Sequence, residues 1–425
     1  MKQIAIYILV VLFLIPIKSA AQESDDGFSF KDLPIEYFGF VNARNGYRLS
    51  DDPYHSKGTV LGELRAQLGM EMWLPWAELK IKNDFIYDWH QEKYVNDLRE
   101  LNVLFSPHSK IDIKIGRQIL TWGKGDMIFV NDLFPKDWQA FFIGREIEYL
   151  KAPNNALKST FYLPWFDLDA IYVPQFNPDR YPDGTYLSFF NPFSGGFIGD
   201  NVEPNFLVPN RWFKDDEFHL RIRKNVKGVD VAIYGNYGFW KSPAGINMTF
   251  DSITFPKMAE LGFSLESNVN GGIFTSEFGY FRSLDDTEGD DFRIRNSQMV
   301  GLVGYTYDFK KDFKIGMQYY AELMLQYDSM ISSLPVGQNP PDRYHDFITL
   351  RVSKMLYKQK INLSSFTYFS VTDTDIYWRL NGSYKLDDRW KIDVGANFFE
   401  GSKDNTFWSQ FQNNNNLYVG VKASF

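Results

Sequence analysis

The chain ends Leu417-Tyr418-Val419-Gly420-Val421-Lys422-Ala423-Ser424-Phe425, and the parity of these residues decides the fold. Leu417, Val419, Val421, Ala423 and Phe425 share one parity, while Tyr418, Gly420, Lys422 and Ser424 take the other. Successive side chains of a strand point to opposite faces, so this is a strand with one apolar face; a helix would scramble the pattern within two turns. The same alternation recurs upstream. Trp390, Ile392, Val394, Ala396 and Phe398 oppose Lys391, Asp393, Gly395 and Asn397. The run from Phe313 to Leu325, the run Leu64-Ala66-Leu68-Met70-Met72, Ile111-Ile113-Ile115 and Phe218-Leu220-Ile222 repeat it. Such strands suit lipid on one side and water on the other.

The connections give an independent reading, because a transmembrane barrel alternates short periplasmic turns with longer extracellular loops. Short turns are expected at Pro75-Trp76, Pro107-His108, Pro164-Trp165, Val226-Lys227-Gly228, Val269-Asn270-Gly271, Lys310-Lys311, Lys358-Gln359 and Asp387-Asp388. Longer connections fall at roughly 46–58, 119–145, 176–214, 241–256, 285–293, 329–344 and 400–413, with two short outward ones near 89–94 and 372–375. The count closes at about eighteen antiparallel strands, even as such barrels require. The expected class is therefore all-β, a transmembrane antiparallel barrel occupying residues 36–425.

The N-terminus reads as an export signal over residues 1–21: Lys2, an apolar run from Ile4 to Ile17, then Ser19-Ala20-Ala21. Residues 22–35 would form a short periplasmic segment, too short for a plug domain. The chain is 18% aromatic and 44% hydrophobic, yet its mean hydropathy is −0.32, a combination expected of two-sided strands flanked by aromatic girdles. With no cysteine, a disulfide framework and a thiolate metal site are excluded. A net charge of −8 argues against nucleic acid as a partner. His55, His90, His108, His219 and His345 show no metal-ligand spacing, so neither a metal nor another cofactor is expected.

The most distinctive segment runs Gly116-Arg117-Gln118-Ile119-Leu120-Thr121-Trp122-Gly123-Lys124-Gly125-Asp126, followed by Asn131-Asp132-Leu133-Phe134-Pro135-Lys136-Asp137-Trp138. It resembles a largely uncharacterised family of porin-like outer-membrane barrels, in which Gly-Arg-Gln, Trp-Gly and Asp precede an Asp-x-x-x-Pro-x-Asp segment. The Gly-Arg-Gln portion is also similar to alginate-export barrels. The terminal Phe425 resembles the signal by which the barrel-insertion machinery recognises its clients. These resemblances imply a bacterial outer-membrane location and passage of solutes, with outer-membrane lipid and the insertion machinery as partners.

In general porins the third outer loop folds into the lumen. Residues 119–145 occupy that position, which would bring Arg117, Gln118, Trp122, Asp126, Asp132 and Asp137 to a constriction. The bland alternative, that these residues pin the loop to the wall, weighs about equally. A second feature is a row of cations on expected lumen faces: Arg221, Arg223, Arg293, Arg295, Arg351, Arg379 and Lys385. Such a track would guide carboxylates or phosphates, unless Glu260, Glu266, Glu277 and Glu322 neutralise it.

Other features read as scaffold. The aromatic outer loop from Phe176 to Trp212, with Phe189-Phe190-Asn191-Pro192-Phe193, suits a self-packed cap or a surface for sugars or apolar solutes. The acidic run Asp285 to Asp291 lacks calcium-loop spacing. His345-Asp346 are adjacent in a strand, so they point apart and make a poor catalytic pair. The function expected is a non-enzymatic channel for small polar solutes, anions among them, monomeric or homotrimeric. The alternatives are a barrel with enzymatic or adhesive outer loops, or a channel for hydrophobic compounds.

Overall fold

The computed structural model describes residues 34–191, 195–200, 204–309 and 312–425. The expected signal peptide, almost all of the 22–35 segment, the Lys310-Lys311 turn and Pro192-Phe193 lie outside them. The described residues form eighteen barrel strands. They are β1 (Ile35–Arg48), β2 (Thr59–Leu74), β3 (Ala77–Asp88), β4 (Lys93–His108), β5 (Ile111–Ile119), β6 (Pro153–Tyr162), β7 (Asp167–Val173), β8 (Glu217–Val226) and β9 (Val229–Phe239). The circuit continues with β10 (Lys257–Val269), β11 (Gly272–Ser283), β12 (Gln298–Phe309), β13 (Phe313–Met324), β14 (Tyr344–Leu356), β15 (Ile361–Ser370), β16 (Ile376–Lys385), β17 (Trp390–Glu400) and β18 (Asn416–Ser424).

Each strand pairs antiparallel with its sequence neighbours, and β18 returns to β1, with Val41 opposite Ala423 and Asn45 opposite Val419. Gly39 and Phe425 exchange both backbone hydrogen bonds, each 3.0 Å, so the last residue completes the seam. A closed sheet leaves no unpaired edge, the condition for placing backbone in hydrocarbon.

The short turns follow from local chemistry. Lys227-Gly228 and Asn270-Gly271 both have φ positive at the two central residues, the mirror-image hairpin turn whose twist matches the flanking strands. At the other end the connections between β5 and β6, β7 and β8, and β9 and β10 are long.

The two faces of the wall are inverted relative to a soluble protein. Leu261 is 60% exposed, Met317 52% and Leu417 50%, whereas Arg65 and Asp84, on inward parity, are 2% and 0% exposed. Trp76, Trp165, Tyr357 and Trp390 project at the short-turn end. Tyr94, Tyr47 and the Tyr319–Tyr344 hydroxyl pair mark the long-loop end. Apolar sides between two aromatic belts fit a bilayer, with polar groups turned to the lumen.

Candidate functional site

The connection between β5 and β6, residues 120–152, folds into the barrel in two lobes. The first is a hairpin closed at its base by Asp132, which accepts from Thr121 Oγ1 at 2.8 Å and pairs with Lys136 at 3.0 Å. Trp122 is buried there against Phe134, Tyr234 and His219, with the Arg221 guanidinium over its ring at 5.1 Å. The hairpin crosses to the opposite wall. Glu277 on β11 accepts from the backbone N–H of Lys124 (2.5 Å), Gly125 (2.6 Å) and Asn131 (3.2 Å), and from Asn131 Nδ2 at 2.6 Å. Gly125 is required, because a Cβ would stand 2.4 Å from the Ile128 carbonyl oxygen. Farther on, the Gln318 side chain of β13 clamps the Asp126 backbone from both sides, and the Asp126 carboxylate pairs with Arg351 of β14 at 3.0 Å.

The second lobe holds a short helix, α1 (Trp138–Phe142), capped by Asp137, whose carboxylate accepts from Ala140 N at 2.7 Å. Phe142 is wholly buried among Tyr377, Phe399, Trp408 and Phe411. Arg379 on β16 donates to the carbonyls of Phe141 and Arg145, at the helix end where backbone acceptors lack intrahelical partners. Arg44 donates to Gly144 O at 2.7 Å and pairs with Asp393 at 2.7 Å. Glu146 bridges Lys391 (2.5 Å) and Lys422 (2.8 Å). Burial would raise the Glu146 carboxyl, but Lys422 and Lys391 hold it down at about 2. The return leg is fixed by Arg145 on Glu63 (2.9 Å) and by Tyr149 donating to Asp84 at 2.8 Å.

Between the underside of this loop and the lower halves of β13–β18 lies a chamber of about 580 Å³. Its cationic lining is Arg44, Arg145, Lys314, Arg351, Arg379, Lys391 and Lys422, against Glu146, Glu148 and Asp393. Seven cations and three carboxylates line it, and Arg145, Lys314 and Arg351 are paired with further carboxylates outside the lining, Glu63, Asp308 and Asp126.

The sequence-derived residues divide accordingly. Trp122, Asp126, Asp132 and Asp137 lie on the inward loop, and Gln118 is buried at its root, donating to Ala156 O at 3.1 Å. Asp132 and Asp137 serve the loop's own hydrogen bonding, whereas Asp126 reaches the far wall. Arg117 is a correction: in register with Leu101 and Asn155, it takes the outward parity of Ile113 and Ile115 and faces away from the lumen. Arg293 and Arg295 are corrected as well. They precede β12, in an outer loop, and pair with Asp291 (2.6 Å) and Glu322 (3.0 Å). Arg221 and Arg223 are matched by Asp169 and Asp167 on β7. Arg351 and Arg379 reach the chamber; Lys385 stands exposed near the short-turn rim.

Sequence reasoning missed Arg44, Arg145, Glu146, Lys391 and Lys422, which meet across separations of about a hundred residues or more, and it read Glu277 only as a neutralising charge. Inward parity on each strand was the available signal. His345 pairs with Asp373 at 2.9 Å and Asp346 accepts from Tyr319, so these neighbours do point apart. Among the described residues no group of His, Asp or Glu is placed to hold a metal ion.

A closed cylinder with an apolar outside, aromatic belts and a charged inside has one environment. The chain is a bacterial outer-membrane β-barrel. No family model matches its sequence, and no curated protein is significantly similar to it. Solved structures share the fold. OccAB3 and OccAB4 of Acinetobacter baumannii are each 10% identical, with TM-scores of 0.54 and 0.55; the matches cover 93% and 92% of this chain and 99% and 98% of theirs. OccK5 (OpdH) of Pseudomonas aeruginosa is 9% identical with a TM-score of 0.54, covering 93% of this chain and 98% of its own.

Proposed function

We propose that the barrel is a diffusion channel for small polar solutes with a preference for anions, filtered where residues 120–152 cross the lumen. The observation that carries this reading is the cation-rich chamber beneath that loop. Guanidinium and ammonium groups on the wall supply donors suited to carboxylate and phosphate oxygens, and the low-dielectric wall strengthens their field. Arg351 and Arg379 retain from the expected basic track the role of guiding anions; Asp126 sets the counter-charge at the tip. The purified chain in planar bilayers tests this: discrete conductance steps with a reversal potential favouring chloride are expected, and a cation preference contradicts the anion assignment.

A second reading has its own observation. At the long-loop end, Phe190, Phe206, Phe292, Ile294, Met324 and Met330 line an apolar pocket of about 400 Å³. Apolar solutes would bind there before passage, and a partitioning fluorescent probe displaced by substitution at Phe292 would favour that use over the polar one.

A further inference from the structure

The lipid-facing wall is largely apolar, and polar residues of outward parity such as Asn45 and Asp346 stand at the long-loop end, but one sector carries polar groups deeper. On β3 the outward residues run Leu79, Ile81, Asn83, Phe85 and Tyr87. Asn83 lies opposite Leu68 and Leu98; Asn96 lies opposite Phe85; Arg117 lies opposite Leu101 and Asn155. Four strongly polar side chains thus share the outer face of four adjacent strands, β3–β6. Arg117 Nε donates to the Leu98 carbonyl, which draws the guanidinium toward Asn83 and Asn96, the neighbours of Leu98 on that face. The amides of Asn83, Asn96 and Asn155 have no hydrogen-bond partner among the described residues.

This patch is not at the rim. Asn83 sits between Ile81 and Phe85, beneath the Tyr87–Tyr94 ring pair, whose centroids are 4.8 Å apart. An arginine facing lipid is costly at the midplane and less so toward the interfaces, and free amides in hydrocarbon add to the cost. Polar groups in the middle of this face disfavour lipid as the neighbour.

We propose that the outer face of β3–β6 is an interface with a second copy of this chain, with the patch close to the symmetry axis. A primary amide both donates and accepts, so a symmetric contact brings Asn83, Asn96 and Asn155 against their own kind. Their carbonyl oxygens in the partner supply neutral acceptors for Arg117, and Leu68, Leu101, Ile115 and Leu157 form the apolar rim. The assignment is independent of what the lumen carries.

The chain has no cysteine, so single-cysteine variants report without background. Asn83→Cys, Asn155→Cys and, on β17 far from the patch, Val394→Cys would be oxidised in native outer membranes. Covalent dimers are expected from the first two and none from the third. Native mass spectrometry of the detergent-extracted wild type is expected to show multimers, whatever the variants do. Monomer masses, with or without a bound phosphorylated lipid, overturn the proposal; so do multimers that crosslink at Val394→Cys and not at the patch.

Discussion

Asp126, carried inward on a hairpin rooted in β5, pairs with Arg351 of β14 at 3.0 Å, so one carboxylate sets the charge of the far wall. The substitution Asp126→Asn removes that charge and leaves the Gln318 clamp on the backbone intact. The pair is partly exposed, so the stability cost is about 0–1 kcal/mol. The expected effect is on selectivity: the chloride-to-potassium permeability ratio rises, read from reversal potentials, at unchanged thermal stability.

Acidification acts on the same residue first. Burial pushes the Asp126 carboxyl above its ordinary value against the opposing pull of Arg351 and Lys314, whereas Glu146 is held down at about 2. A raised carboxyl takes up its proton in the folded state before the unfolded one, so Asp126 does not destabilise the loop as pH falls. Glu146, being depressed, contributes stability that is full above the ordinary carboxylate range and lost as pH falls toward about 2. Anion preference is therefore expected to increase as pH falls from neutrality, above the ordinary carboxylate range, with the loop still seated. That increase is expected to vanish in Asp126→Asn.

Glu277 tests whether the hairpin is held from the wall. Hydrogen bonds to a charged group contribute about 1.5–3 kcal/mol each, and Glu277 accepts from three backbone N–H groups and one amide. Glu277→Ala is expected to release the hairpin, raising single-channel conductance and open-channel noise while the barrel persists in unheated gels. A variant with wild-type conductance and noise would show that the hairpin does not limit the current.

Phe142 anchors the second lobe. Truncation to Ala empties a fully buried aromatic site, at a cost of about 3–5 kcal/mol. The loop then loses its seat against Tyr377 and Phe399, and faster protease cleavage within residues 138–152 is expected, at sites the wild type protects.

Much of this architecture is legible from parity alone. The strand count and seven of the eight short turns stand within two residues of where alternation and turn residues put them, with the Lys310-Lys311 turn outside the described residues. The inward loop was legible only as a resemblance, since nothing local tells a chain to fold into a lumen. Its anchors were not legible: Glu146 meets Lys422 across 276 residues, and a charge pattern names no partner at that distance. Arg117 shows the opposite failure. Its parity with Ile113 and Ile115 marked it as outward, but the neighbouring motif residues drew it into the constriction. Arg293 and Arg295 were misplaced because the loop before β12 alternates as a strand would.

The most direct measurement is single-channel recording of the purified full chain under a KCl gradient, repeated with Asp126→Asn. The structure leads us to expect discrete steps, a reversal potential displaced toward chloride, and a further displacement in the variant. A barrel that folds and inserts yet passes no current, or one that favours potassium in both forms, would contradict the account.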